Sequence, residues 1–363
     1  MPRPLAALVT IFCILIVFLL LFSAALIGAT VYFNAPPGTE PRAHIQDPWL
    51  RVEDSHSAIL EVRNGESARS VGNRLEEAGL IRSRYFWDLL ARCRKEYIKA
   101  GTYRLELPIS SIRLYSVLVS GKQLLLRVTI PEGNTLKKTA GILEEAGICS
   151  ASGFLAASED KRFIESLHIP AETLEGYLYP DTYLFPPNYP VQLVIKAMTD
   201  TFFSRLESIY PAVFELSPEA IHRKLILASI VEREYRLDEE APLMAGIFFN
   251  RLEIGMALQS CATVEYVITE IQGRPHPEVL YTQDTEIRDP YNTYIRSGLP
   301  PGPISSPGAV ALKAVFAPES SDYLYFRLVD PATGRHYFSR TLDDHIRAGA
   351  LYVKSSPVGR PRS

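Results

Sequence analysis

The chain is most tightly constrained at its start. From Leu5 to Phe33 it reads LAALVTIFCILIVFLLLFSAALIGATVYF, with no charged side chain. A bilayer core takes about 20 apolar residues as a helix, so this run is long enough to cross with some tilt. A cleaved signal peptide carries an apolar core of only about 7–15 residues, so an uncleaved anchor is expected. Arg3 and the amino terminus are the only positive groups ahead of the run, and Glu40, Arg42 and Asp47 behind it nearly cancel. The positive-inside rule then makes residues 1–33 a cytoplasmic N-terminus and membrane anchor, with everything after Asn34 outside the cytoplasm.

The 363 residues are 47% hydrophobic, enough to build two or three domains beyond the anchor. A net charge of −3 leaves no basic footprint, so nucleic acid is not an expected partner. Cys13 lies in the apolar run. Cys93, Cys149 and Cys261 are an odd number outside it; one bridge is possible, and none is expected. There is no CxxC and no HExxH, so no metal or other cofactor is expected. Residues 34–55, NAPPGTEPRAHIQDPWLRVEDS, read as a linker leaving the membrane. The tail, 355–363, reads as flexible.

An internal repeat follows. VRNGESARSVGNRLEEAGLIRSRYF starts at Val62, and IPEGNTLKKTAGILEEAGICSASGF starts at Ile130. LEEAG ends a helix in each copy, its glycine placed for a left-handed cap. Gly65 corresponds to Gly133, and Phe86 to Phe154 at the same offset. IKAGTYRLE and LLLRVTI between the copies look like strands. Residues 56–127 therefore form a small α/β module, and the second copy opens a larger domain over 128–354. The expected class is α+β: a transmembrane helix, the module, then a mixed α/β domain.

In that domain LILASIV, from Leu225 to Val231, has one polar side chain, Ser229, and runs straight into Glu232 and Glu234. Ser217 is a candidate N-cap for the helix and Pro218 its first residue. A second helix should stop at Gly255, and a hairpin should turn at Asp330–Gly334. Glu232 and Glu234 have two readings. One is an ordinary helix end, with Arg233 and Arg236 as ion-pair partners. The other is a general acid, because an apolar wall raises a carboxyl pKa toward neutrality and glycoside cleavage needs that proton. Gln259, Asn292, Thr293 and several tyrosines are suited to a sugar site. In the loop from Tyr291 to Pro307, Pro300 and Pro301 fix the backbone cheaply. That loop is expected to wall a groove beside Glu232 and to cap the next helix through Ser306 and Pro307.

LASIVEREY, NRLEIGMALQSCATVEY, YNTYIRSGLPPGPISSPG, YLYF and LEGYLYPDTY resemble the YceG-like family of membrane-anchored endolytic murein transglycosylases over about residues 56–350. The resemblance implies a LysM-like module, a catalytic α/β domain and a lyase acting on peptidoglycan glycan strands, with peptidoglycan synthases as partners. It makes Glu232 the catalytic acid and Glu234 supportive. With the residues above, it gives a substrate set of Glu234, Gln259, Thr263, Tyr291, Asn292, Thr293, Tyr294, Leu299 and Pro300. It places the chain in the bacterial inner membrane as a single-pass protein, its catalytic domain extracytoplasmic (periplasmic in a Gram-negative cell). Many members read Leu-Gln-Thr-Asp-Pro-Thr where this chain reads Leu258-Gln259-Ser260-Cys261-Ala262-Thr263, so an acid is missing there. The alternatives are a lysozyme-like hydrolase, which needs a second carboxylate about 5–9 Å from Glu232, and a non-enzymatic wall-binding scaffold. A pyridoxal-phosphate lyase would want a Schiff-base lysine and a phosphate cradle, and neither is seen.

Overall fold

With no charge to interrupt it, the apolar run forms one helix, α1 (Arg3–Asn34), whose described side chains are largely exposed. It is long and apolar enough to cross a membrane. The computed structural model describes residues 3–38 and 49–355. It divides into two units, Met1–Leu125 and Leu126–Ser363. Residues 39–48 of the expected linker and 356–363 of the tail lie outside the described residues.

In the first unit β1 (Leu50–Asp54), β2 (Ser57–Val62) and, after α2 (Ala68–Glu77) and α3 (Arg84–Arg94), β3 (Gly101–Glu106) make an antiparallel sheet in the order β1-β2-β3. α4 (Ser111–Ser120) completes the unit. Trp49 and Leu50 are buried in its core, so residues 49–54, expected as linker, belong to the sheet. Alternation explains this: LRV places Leu50 on the core face. The end of α1 is tied to the same unit. Asn34 Oδ1 accepts from the Ile112 amide (2.9 Å), and the Phe33 carbonyl accepts from Ser111 Oγ (3.1 Å).

The second unit opens with β4 (Leu126–Thr129), α5 (Leu136–Glu145), α6 (Ala151–Ser158) and α7 (Lys161–Ser166). β5 (Thr182–Phe185) pairs antiparallel with β4. Then come α8 (Val191–Ile209), α9 (Pro218–Val231), α10 (Ala241–Glu253), α11 (Cys261–Tyr266) and α12 (Ala309–Phe316). The hairpin of β6 (Tyr325–Asp330) and β7 (Arg335–Ser339) and α13 (Leu342–Ser355) finish the chain. Ser217 caps α9 through the Ala220 amide (3.2 Å), and Gly255 follows α10 at φ +69°.

The repeat has a structural counterpart. α2 and α5 lie at one offset, and Gly65, Gly133, Gly79 and Gly147 all have φ between 71° and 75°. The pairing of Phe86 with Phe154 needs correction. Ser83 and Ser150 cap the second helices, so Trp87 is the counterpart of Phe154, each buried four residues beyond its cap. The connecting turn is one residue shorter in the second copy.

α9 packs against α10 and α12, and every residue from Leu225 to Val231 is buried. Close approach elsewhere depends on Gly246 in α10, where a Cβ would overlap the Glu319 carbonyl oxygen. That oxygen is fixed because the Glu319 amide donates to the Pro242 carbonyl (3.0 Å). Gly246→Ala is expected to cost about 1–3 kcal/mol, read as a Tm lower by about 2–4 °C per kcal/mol in a unit of this size.

Candidate active site

The second half of α9, Leu225–Val231, is apolar and buried because it runs through the core, and Ser229 is its one polar side chain. Ser229 Oγ accepts from the Ile304 amide (3.0 Å), and its carbonyl accepts from Ser305 Oγ (3.1 Å). The end of the GLPPGPISSPG loop is thereby fastened to the last turn of α9. Three residues further on, Glu232 closes the helix, its amide donating to the Ala228 carbonyl (2.9 Å). Its Oε2 accepts from the Gly308 amide (2.9 Å).

Burial pushes Glu232 up to about 7. The Gly308 hydrogen bond pulls the other way, while the charges of Glu132 and Asp238 add to the rise. Glu132 was not anticipated. Its carboxylate lies against Gly308, where a Cβ would overlap it, and the next residue, Gly133, comes within van der Waals range of Glu232 Cγ (3.8 Å from an added Cβ). The Gly133 amide donates to the Ser306 carbonyl (2.8 Å), and the Ser306 amide to Asn134 (2.8 Å), so the second repeat's turn is laced to the loop. One signal in the sequence marks it: the first copy has Asn64 where the second has Glu132.

Glu175, in LEGYLYPDTY, was also missed. It is buried, and both its oxygens accept from the Leu136 amide (3.1 Å each) at the start of α5. Burial pushes it up to about 8. Gly176, at φ +83°, lets Pro303 sit where a side chain would be.

Part of the expected substrate set lines a cavity beside Glu234. Glu234 faces the other side of the turn, where its Oε1 accepts from Ser260 Oγ. Burial pushes it up to about 7, partly offset by that bond. Glu234, Gln259 and Tyr294 line one cavity with Cys261, whose Sγ lies 3.0 Å from the Tyr294 hydroxyl. Gln259 stands in the left-handed region at φ +52°. Thr263 and Thr293 lie behind it, buried and bonded to each other (2.9 Å). Tyr291 stacks near Tyr266 (5.0 Å), Leu299 packs on the core, and Pro300 is buried. Arg233 pairs with Glu265 (2.7 Å), not with either acid of the turn.

Two expectations about the loop change. Ser306 does not cap the following helix: Gly308 is its N-cap, without a side-chain bond. Asn292 is fully buried rather than facing a groove. Its Nδ2 donates to the Thr285 (2.9 Å) and Ile287 (2.8 Å) carbonyls, and its Oδ1 accepts from the Tyr294 amide (3.0 Å). All its polar capacity toward neighbours is spent on backbone, which makes it the loop's internal brace.

A carboxyl that burial raises toward neutrality at the end of a buried helix, with a second carboxylate close by, makes this a candidate acid-base site. The profile of the YceG-like family matches residues 60–350, and the chain belongs to that family. It is similar to an endolytic murein transglycosylase of Streptococcus pneumoniae (strain ATCC BAA-255 / R6), 30% identical over 91% of this chain and 64% of the relative, under two thirds of its length. A protein of the same name from Bacillus subtilis (strain 168) is 29% identical over 84% of this chain and 87% of its own. The crystal structure of a YceG-like protein from Listeria monocytogenes aligns with a TM-score of 0.54 at 30% identity, covering 80% of this chain and 98% of that one.

Asn292→Ala would leave two carbonyls and an amide without their partner, a cost of about 2–4 kcal/mol. The expected outcome is early melting, with activity per folded molecule within twofold of wild type. Lost activity at unchanged Tm would return Asn292 to the substrate.

Proposed function

We propose that this protein is a membrane-anchored endolytic lytic transglycosylase of peptidoglycan, with Glu232 as its general acid and base. The observation that carries the reading is the Glu232 carboxyl at the end of a buried helix, held by one backbone amide, where burial pushes its pKa up to about 7. The names of its relatives support murein as the substrate. The apolar α1 supports a single-pass anchor with an extracytoplasmic catalytic domain. Substrates are nascent glycan strands, and peptidoglycan synthases are the partners such an anchor suits. The first unit after α1, residues 49–125, serves as a LysM-like spacer, and 126–354 as the catalytic domain.

In this mechanism protonated Glu232 donates to the oxygen joining MurNAc to GlcNAc. The C–O bond breaks, and positive charge builds at the anomeric carbon. The GlcNAc alcohol leaves with that proton. Glu232, now a carboxylate, takes the proton of the MurNAc 6-hydroxyl as its oxygen bonds to the anomeric carbon. A 1,6-anhydro end forms, Glu232 is reprotonated, and elongation of that strand ends. The attack is intramolecular, so a held hydroxyl has a high effective molarity and no water is consumed. Glu132 stabilises the charge at the anomeric carbon and keeps the proton on Glu232.

One observation favours a second reading. Glu132 beside Gly308 gives a hydrolase the second carboxylate it would need. Mass analysis of the cut ends separates the two, since a hydrolase leaves a reducing end and the lyase an anhydro end.

Glu232→Gln should reduce cleavage by at least about a thousandfold without changing Tm, because an amide of the same shape cannot give or retake a proton. Turnover within tenfold of wild type would move the chemistry elsewhere. The donor form exists below the Glu232 pKa, so wild-type kcat/KM should fall as pH rises through about 7. Glu132→Gln removes one of the charges that raises Glu232, and should move that fall to lower pH.

A further inference from the structure

Arg251 in α10 is 7% exposed; its guanidinium lies over the Tyr325 ring (5.3 Å) and feels the charge of Glu234, but all its hydrogen bonds go to neutral carbonyls. Its Nε donates to the Leu324 carbonyl (2.6 Å), and its Nη1 to those of Leu258 (2.7 Å) and Ala257 (3.3 Å). Among the described residues it has no ion pair, and Nη2 has no hydrogen-bond partner. A buried guanidinium with only neutral acceptors is costly unless an anion reaches it. Burial holds its pKa below the usual arginine value.

Arg251 lines a cavity of about 500 Å³, within the usual size range of a ligand site. Arg236 and Arg327 line it too; both are exposed and make no hydrogen bond or ion pair among the described residues. The acids there are already engaged. Glu265 pairs with Arg233 (2.7 Å), and Glu234 accepts from Ser260. His345 Nδ1, also at the cavity, is buried without a partner. Arginine forks fit carboxylates bidentately. The cavity is joined to the turn that begins at Glu232, since the Arg233 and Glu234 amides donate to Ile230 and Val231 (3.0 Å each).

We propose that this cavity is a carboxylate-binding subsite that receives the acidic branch borne by the muramic residue of the glycan, an assignment that rests on the function proposed above. Muramic acid carries a lactyl group. That group bears a peptide with free carboxylates, or its own carboxylate where the peptide is absent. The backbone sugars are neutral, so this branch is the repeating part of the polymer that an arginine-lined cavity attracts. A strand threaded past Glu232 presents one branch per disaccharide, which the cavity uses to set the register of the cut.

The test is equilibrium binding to the full-length Glu232→Gln protein in detergent, with fluorescently labelled glycan strands as the probe. Three strands are compared: peptide-bearing, peptide-bearing with every carboxylate converted to its methylamide, and stripped to the bare lactyl carboxylate. Methylamidation is expected to weaken Kd at least tenfold. Adding Arg236→Ala and Arg327→Ala is expected to weaken binding of the native strand by a similar factor and to erase the difference between native and amidated strands. Both arginines are exposed and unbonded, so Tm should not move. Retained, arginine-dependent affinity for stripped strands assigns the lactyl carboxylate; lost affinity assigns the peptide. Equal binding of native and amidated strands overturns the proposal, as does an arginine variant that loses equally on both. Binding needs no turnover, so failure of the lyase reading shows separately, as wild type leaving native strands uncut.

Discussion

The hydrogen bond from the Gly308 amide to Glu232 Oε2 joins the end of α9 to the start of α12, and the rest of the site is arranged around it. It is possible only because Ser229, the one polar residue in the last turns of α9, fastens Ile304 and Ser305 and so delivers the following glycine to the acid. Gly308 is needed for the same reason, because a side chain there would displace Glu132. The amide alone would lower the carboxyl pKa, and burial at the end of an apolar helix outweighs it. A residue that is merely a helix end in most proteins is thereby kept near the neutral point.

The electrostatic cost is borne by the fold. Glu175, Glu232 and Glu234 are all raised, to about 8, 7 and 7. A carboxyl raised in the native state binds its proton more tightly folded than unfolded. Each such group favours the fold most at low pH, and its contribution is lost as pH rises from the ordinary carboxylate range through its folded value. The domain thus gives up stability toward neutrality to hold acids in their proton-bearing form. Glu175 shows that the device also has a structural use, capping the first amide of α5 from within the core.

Local features of the sequence were legible because their causes are local. The Ser217 cap, the stop at Gly255 and the turn at Asp330–Gly334 depend on a few neighbouring residues, as do the left-handed LEEAG glycines Gly79 and Gly147. An apolar run ending in acids made Glu232 and Glu234 candidates without any partner in view, and only the resemblance to the YceG-like family chose between them. What could not be read depends on partners far along the chain. Glu132 meets Glu232 only through folding, and Asn292 looked like a sugar ligand because its hydrogen-bonding capacity is visible while its backbone acceptors are not. The Phe86 pairing failed because identity at a fixed offset ignored the extra residue in the first copy's turn, which places Trp87 rather than Phe86 inward.

The central claim is that this environment holds a proton on Glu232 near neutral pH. Its direct measurement is a carboxyl titration of the intact protein, by ¹³C labelling of glutamate side chains, with Glu232→Gln assigning the resonance. The account predicts a midpoint at about 7 for Glu232, moving down in Glu132→Gln. A midpoint near the ordinary glutamate value of about 4.3 would contradict it, because the group would then be ionised whenever substrate arrived.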